Sequence, residues 1–188
     1  MLSLLRSMLL IGLAAGCASQ PPATNEKLDP LTAATLSYSS TPMILYRDDP
    51  GRAAHAKNFV SLGPLLVNRG GHYEYFIWLG IWNTNQTPDL DERRDGFDSI
   101  VLFVDGEPLA LDVAGWTPAA IGASEPVYAQ PVGSALDAYY RVTADQIRLL
   151  AYSSDVQLRT GGALPRAYEP WDNQAAARQG MQRFLQQY

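Results

Sequence analysis

The eleven residues His72–Trp82, HYEYFIWLGIW, constrain the fold of this chain more than any other stretch. They are rich in aromatic and branched side chains, which suit a pleated strand. With a period of two, Tyr73, Tyr75, Ile77, Leu79 and Ile81 share one face, and Glu74, Phe76, Trp78 and Trp82 share the other. Between Phe76 and Ile81 both faces are apolar. Such a strand must be covered on two sides, so it belongs at the centre of a sheet. Arg69-Gly70-Gly71 supplies a turn just before it, because glycine takes positive φ without steric cost. Asn58–Asn68 then reads as the other arm of a long antiparallel hairpin over 58–82. Gly63-Pro64 inside that arm marks an edge, a bulge or a split.

The rest of the chain follows the same logic. Thr32–Tyr38 and Met43–Arg47 read as strands broken by Pro42 and Pro50. Ser99–Val104 and Pro108–Val113 flank Asp105-Gly106, a strong short-range hairpin signal. Val127–Ala129, Ala138–Val142 and Asp155–Thr160 are further strands. Thr143 with Gln146 has the form of a capping box, opening a short helix with Ile147, Leu150 and Ala151 on one face. In Asp172–Tyr188, Ala177, Met181, Phe184, Leu185 and Tyr188 form one apolar stripe, so this segment is an amphipathic helix, with Trp171 placed to staple its start. The fold class is mainly β (α+β): an antiparallel β-sandwich or curved sheet with one short helix and a C-terminal amphipathic helix. A chain of 188 residues, 47% of them hydrophobic, makes one globular domain and is not disordered. A net charge of −5 argues against a nucleic-acid partner.

The N-terminus reads as an address. Arg6 precedes a short apolar run, Met8–Ala15, and small residues lead to Cys17, the only cysteine. This is the layout of a signal peptide over 1–16. It resembles the lipobox of bacterial lipoproteins, with Leu13 one place upstream of the usual position and Ala14 in its stead. The resemblance implies that Cys17 is acylated and begins the mature chain. Ala18 after it, in place of Asp, resembles the sorting pattern for the Gram-negative outer membrane. The expected location is therefore a lipid anchor in the outer membrane with the domain facing the periplasm, or the exterior if flipped. More than one acyl chain makes such anchoring stable. Residues 17–30 hold the acylated cysteine and a polar, proline-bearing tether, and 31–188 the single domain. The run LGPLLVNRGGHYEYFIWLGIW, the Val-Asp-Gly hairpin and the Thr-capped helix resemble Gram-negative lipoproteins to which no activity is attached.

Catalytic and metal chemistry find little support. The hydrophilic excursion Asn83–Asp98 carries Asp89, Asp91, Glu92, Asp95 and Asp98, an oxygen-rich set of the kind calcium favours. Arg93 and Arg94 fall where a calcium loop needs a ligand and a glycine, so a solvated loop with local ion pairs is the favoured reading. His55 and His72 are the only histidines, and no His-Glu-x-x-His run is present. There is no Gly-x-Ser-x-Gly elbow. No metal or cofactor is expected. The aromatics are the remaining lead, since Trp and Tyr anchor interfaces and stack on sugars. Trp78 and Trp82 read as core. Trp116, in a Gly/Ala/Pro-rich stretch over 114–136, reads as exposed.

These features point to a non-enzymatic binding or accessory module for a cell-envelope component, anchored to the membrane by lipid. A glycan- or lipid-binding module is the alternative, and an envelope hydrolase a more distant one. The expected binding residues are Trp116, Asp89, Asp91 and Asp95, because loops on a rigid scaffold usually carry function.

Overall fold

The computed structural model describes residues 24–51, 53, 55–84 and 94–188. The strands are β1 (Thr24–Leu28), β2 (Thr35–Ser39), β3 (Met43–Asp48), β4 (Lys57–Arg69), β5 (His72–Asn83), β6 (Ser99–Val104), β7 (Glu107–Gly115), β8 (Leu136–Val142), β9 (Val156–Thr160) and β10 (Ala167–Pro170). Helix α1 (Ala144–Tyr152) lies between β8 and β9, and α2 (Gln174–Gln187) follows β10.

The strand order β4-β3-β10-β9-β6-β7-β8-β5 returns to β4, closing an eight-stranded antiparallel barrel. The sequence predicts an antiparallel β-sandwich or curved sheet; the mainly β, antiparallel class holds, and the correction is that the sheet closes into a barrel and is not a sandwich. Its cause is β10. Tyr168 pairs with Leu158 of β9, and Glu169 pairs with Tyr46 of β3. Ala-Tyr-Glu-Pro is four residues ending in proline, too short to read as a strand. Without it, β3 and β9 are two open edges. With it, the sheet has no edge between them.

The long hairpin is present as expected. Arg69 pairs with His72 across Gly70 and Gly71, whose φ values of 58° and 91° are those of a two-residue turn matched to strand twist. Asp105 and Gly106 turn β6 into β7 with φ of 51° and 88°. Gly63-Pro64 is a split. β3 covers one edge of β4 as far as Leu62, and β2 takes the same edge from Leu65. The Pro64 carbonyl accepts from the Tyr128 hydroxyl instead, at 2.6 Å.

Two apolar cores lie on either side of the β4–β5 wall. Inside the barrel, Ile77 and Leu79 meet Val60, Leu62, Leu102, Leu158 and Tyr140. Eight strands leave an interior just wide enough for side chains to fill. Outside, Phe76 and Trp78 join Leu36, Leu65, Tyr128 and Tyr139. Both faces of β5 are thus buried. The outer cover is the Gly/Ala/Pro-rich stretch after β7. It contains a 3₁₀ turn over Pro118–Ile121, and Val127–Ala129 is not a strand. Tyr128 stacks on Trp78 with ring centroids 4.3 Å apart.

Both helices close one end of the barrel. Thr143 caps α1 by accepting from the Gln146 backbone, while the Gln146 side chain accepts from the Thr143 N–H, the expected capping box. Ala177, Met181 and Phe184 of α2 enter the inner core. Trp171 does not staple α2. It lies against Tyr46 and Phe59 instead.

One segment that the sequence assigns to the tether is part of the sheet. Thr24–Leu28, placed in the tether by proline and polar content, pairs along β2 as β1. Pairing and tertiary contact override weak strand propensity there. Tyr188, just after α2, donates to Ser37 and meets Glu26, tying the end of that helix to β1 and β2.

Candidate functional site

Helix α1 is apolar on two faces. Ile147, Leu150 and Ala151 are buried in the barrel end. Leu149 and Tyr152, three residues apart, point outward and are 58% and 63% exposed. With Asp145 and Arg148 they follow the i, i+3, i+4, i+7 spacing of a single helical stripe. That stripe forms one wall of an open groove of about 720 Å³, and Val104, Pro108 and Leu109 of the β6–β7 hairpin form the other.

The two walls are fixed to each other. Asp105 of the hairpin turn accepts from the Ser154 N–H at 2.9 Å, the Ser154 hydroxyl at 2.6 Å and the Asp155 N–H at 2.9 Å. All three bonds end on one carboxylate oxygen, Oδ1. The Ser154 hydroxyl foremost, then the two backbone donors, hold this carboxyl below the usual range. The Asp105 N–H donates back to the Asp155 carbonyl at 3.0 Å. Ser153, at the end of α1, donates to the Leu150 carbonyl at 2.9 Å. The groove is therefore a preformed apolar surface between rigid elements, the usual character of a binding site. Its lining is acidic: Asp105, Glu107 and Asp145 stand with Arg148, which pairs with Asp145, while Arg178 donates to the Ser154 carbonyl beside Asp105.

A second surface is aromatic. On the outer face of β3, β4 and β5, Trp171 meets Tyr46 and Phe59, and Phe59 stacks on Trp82 at 4.2 Å. Lys57 lies over the rings of Tyr46 and Trp171. Trp171 is 48% exposed, so part of this row meets solvent.

The residues expected to bind are elsewhere. Trp116 is half-buried, packed against the inner core with Arg94 over its ring at 5.1 Å. It is part of the barrel's loop end rather than an exposed ledge. Asp95 is exposed there, and its backbone carbonyl accepts from Arg166. Asp89 and Asp91 lie outside the described residues, as does Cys17. The end of the hydrophilic excursion is anchored: Phe97 is fully buried, and its carbonyl accepts from the Tyr140 hydroxyl at 2.6 Å. Burial raises the Tyr140 hydroxyl well above the ordinary tyrosine range. Among the described residues no three metal-ligating side chains converge. His72 stands at the β4–β5 turn and His55 before β4, so the length of β4 separates them. No helix among the described residues is long and apolar enough to cross a membrane.

Sequence reasoning passed over Leu149 and Tyr152, although a signal was present. Once Ile147, Leu150 and Ala151 define the buried face of α1, two large apolar residues remain on the face that should be polar. Comparison with family models, with curated proteins and with solved structures finds no match.

Proposed function

We propose that this chain is an outer-membrane lipoprotein, acylated at Cys17, that acts as a non-enzymatic binding module for a component of the cell envelope. The groove beside α1 carries the binding half of this reading. Leu149 and Tyr152 leave large apolar surface in water beside a wall that cannot move to cover it. The lipobox-like leader supports the anchored half. Because β1 begins at Thr24, only residues 18–23 separate the fold from Cys17. Seven steps of extended chain reach roughly 25 Å at most. The domain then rides close to the membrane and meets partners at or near its surface.

The test is capture of envelope components by the full-length protein, compared with a Leu149→Ser/Tyr152→Ser variant. A partner recovered with the wild type should fall at least tenfold with the variant. Equal recovery removes the groove from the reading. The aromatic row supports a second reading, a glycan-binding module, since a half-exposed Trp beside a lysine suits a sugar face. Saturable quenching of tryptophan fluorescence by peptidoglycan fragments, lost in Trp171→Ala, is its expected signature.

A further inference from the structure

We infer that the α1 groove takes a short apolar peptide segment of a partner protein, flanked by lysine or arginine. The inference rests on the binding reading above and adds the chemistry of the partner.

Charge and dimension carry it. Three carboxylates, on Asp105, Glu107 and Asp145, line the groove with the guanidinium of Arg148, and Arg178, at the Ser154 carbonyl, offsets part of the Asp105 charge, so the lining keeps a net negative sign. Asp105 is locked in place by three donors on one oxygen and cannot swing away when a partner arrives. Asp145 is bonded to Arg148, so that cation is already engaged. A partner reaching the apolar floor therefore passes a rim with an excess of negative charge. Like-charge contact at a rim is unfavourable, and the rim sign selects partners and speeds their encounter. An anionic lipid surface and an acidic peptide are disfavoured on that ground. A segment with apolar anchors and cationic flanks meets both requirements.

The size of the wall sets the length. Nine residues of α1 rise about 13 Å at 1.5 Å per residue. Leu149 and Tyr152 lie one helical turn apart along it. The matching segment is thus about two helical turns, with two or three apolar anchors entering beside Leu149, Tyr152 and Leu109.

The experiment uses a fluorescein-labelled sixteen-residue amphipathic peptide of leucine and lysine, and its counterpart with glutamate for lysine. Each is titrated by anisotropy with the full chain held in phosphatidylcholine nanodiscs, empty discs serving as background. The expected result is saturable binding of the leucine–lysine peptide, at least tenfold weaker binding of the leucine–glutamate peptide, and weakening by added salt. Leu149→Ser should weaken the first at least tenfold. Glu107→Gln with Asp145→Asn should weaken it three- to tenfold and flatten its salt dependence. All these positions are exposed, and an unchanged urea midpoint shows that each variant folds. Equal affinity for both peptides, or no effect of Glu107→Gln/Asp145→Asn, overturns the cationic partner and leaves the groove standing. Binding unaffected by Leu149→Ser overturns the groove itself.

Discussion

Substituting Gly63 by alanine tests the layered architecture in one step. Gly63 lies in β4, where a Cβ would fall 2.4 Å from the Tyr128 hydroxyl and 2.5 Å from its ring carbon Cζ. Its φ is not in the left-handed region, so alanine meets no backbone strain there. The cost is therefore contact with a ring that cannot easily leave. Tyr128 is buried, stacked on Trp78 and bonded to Pro64. Expelling the ring would forfeit about 4–6 kcal/mol of burial, at 150–250 Å² and 25 cal/mol per Å². Overpacking with local yielding costs less, about 1–3 kcal/mol. Alanine itself gains roughly 0.5–1 kcal/mol over glycine inside a strand. Gly63→Ala should thus destabilise the wild type by about 1–2 kcal/mol. In a Tyr128→Ala background the clash is gone, and the same substitution should stabilise by about 0.5–1 kcal/mol. Urea unfolding of the four proteins, followed by tryptophan fluorescence and circular dichroism, measures the cycle. An equal destabilisation in both backgrounds would refute the seating of Tyr128 on Gly63 and with it the outer core.

Phe97→Ala should cost about 3–5 kcal/mol in the same assay, as for other buried aromatics, because Phe97 fills the loop end of the barrel. Thr143→Ala should cost about 1 kcal/mol through loss of the α1 cap. Two buried carboxylates should act in opposite senses with pH. Asp29 accepts from Ser124, Leu31 and Thr32, and these bonds, the Ser124 N–H foremost, hold it far below the usual range. Its stabilisation is present above the unfolded aspartate value near 3.9 and fades as pH falls through that value towards the lower folded one. Asp29→Asn should flatten this acid limb of the urea midpoint. Asp137 is raised by burial, against the bonds it accepts from Trp78 and Gln130. Its penalty is present above the raised folded value and relieved as pH falls towards the unfolded one. Asp137→Asn should raise the midpoint at neutral pH relative to wild type and leave it nearly unchanged in acid.

Much of the barrel wall was legible because its strands are long and its turns carry their own chemistry. Gly70-Gly71 and Asp105-Gly106 need positive φ, and both define register without reference to the rest of the fold. The two-sided apolar pattern of Phe76–Ile81 pointed to a strand covered on both faces, as β5 is. Closure was not legible, because it depends on β10, a segment whose strand character comes from its neighbours. β1 was hidden for the same reason: a polar five-residue strand is indistinguishable from tether until β2 pairs with it. The groove was not read from the sequence for a different reason. Trp116 looked exposed because its flanking residues are small, yet Arg94 covers it. Leu149 and Tyr152 looked ordinary, because only the packing of α1 shows which face is left in water.

The central claim is that the groove beside α1 meets a partner in the envelope. A photo-reactive benzoylphenylalanine at position 152 tests it in place, with the same residue at position 164 as control. Leu164 is 82% exposed and sits in the loop between β9 and β10, at the far end of the barrel from the helices. Irradiation of intact envelopes should give one discrete adduct from position 152 and none from 164. An adduct of equal yield from both positions, or none from 152, would contradict the account.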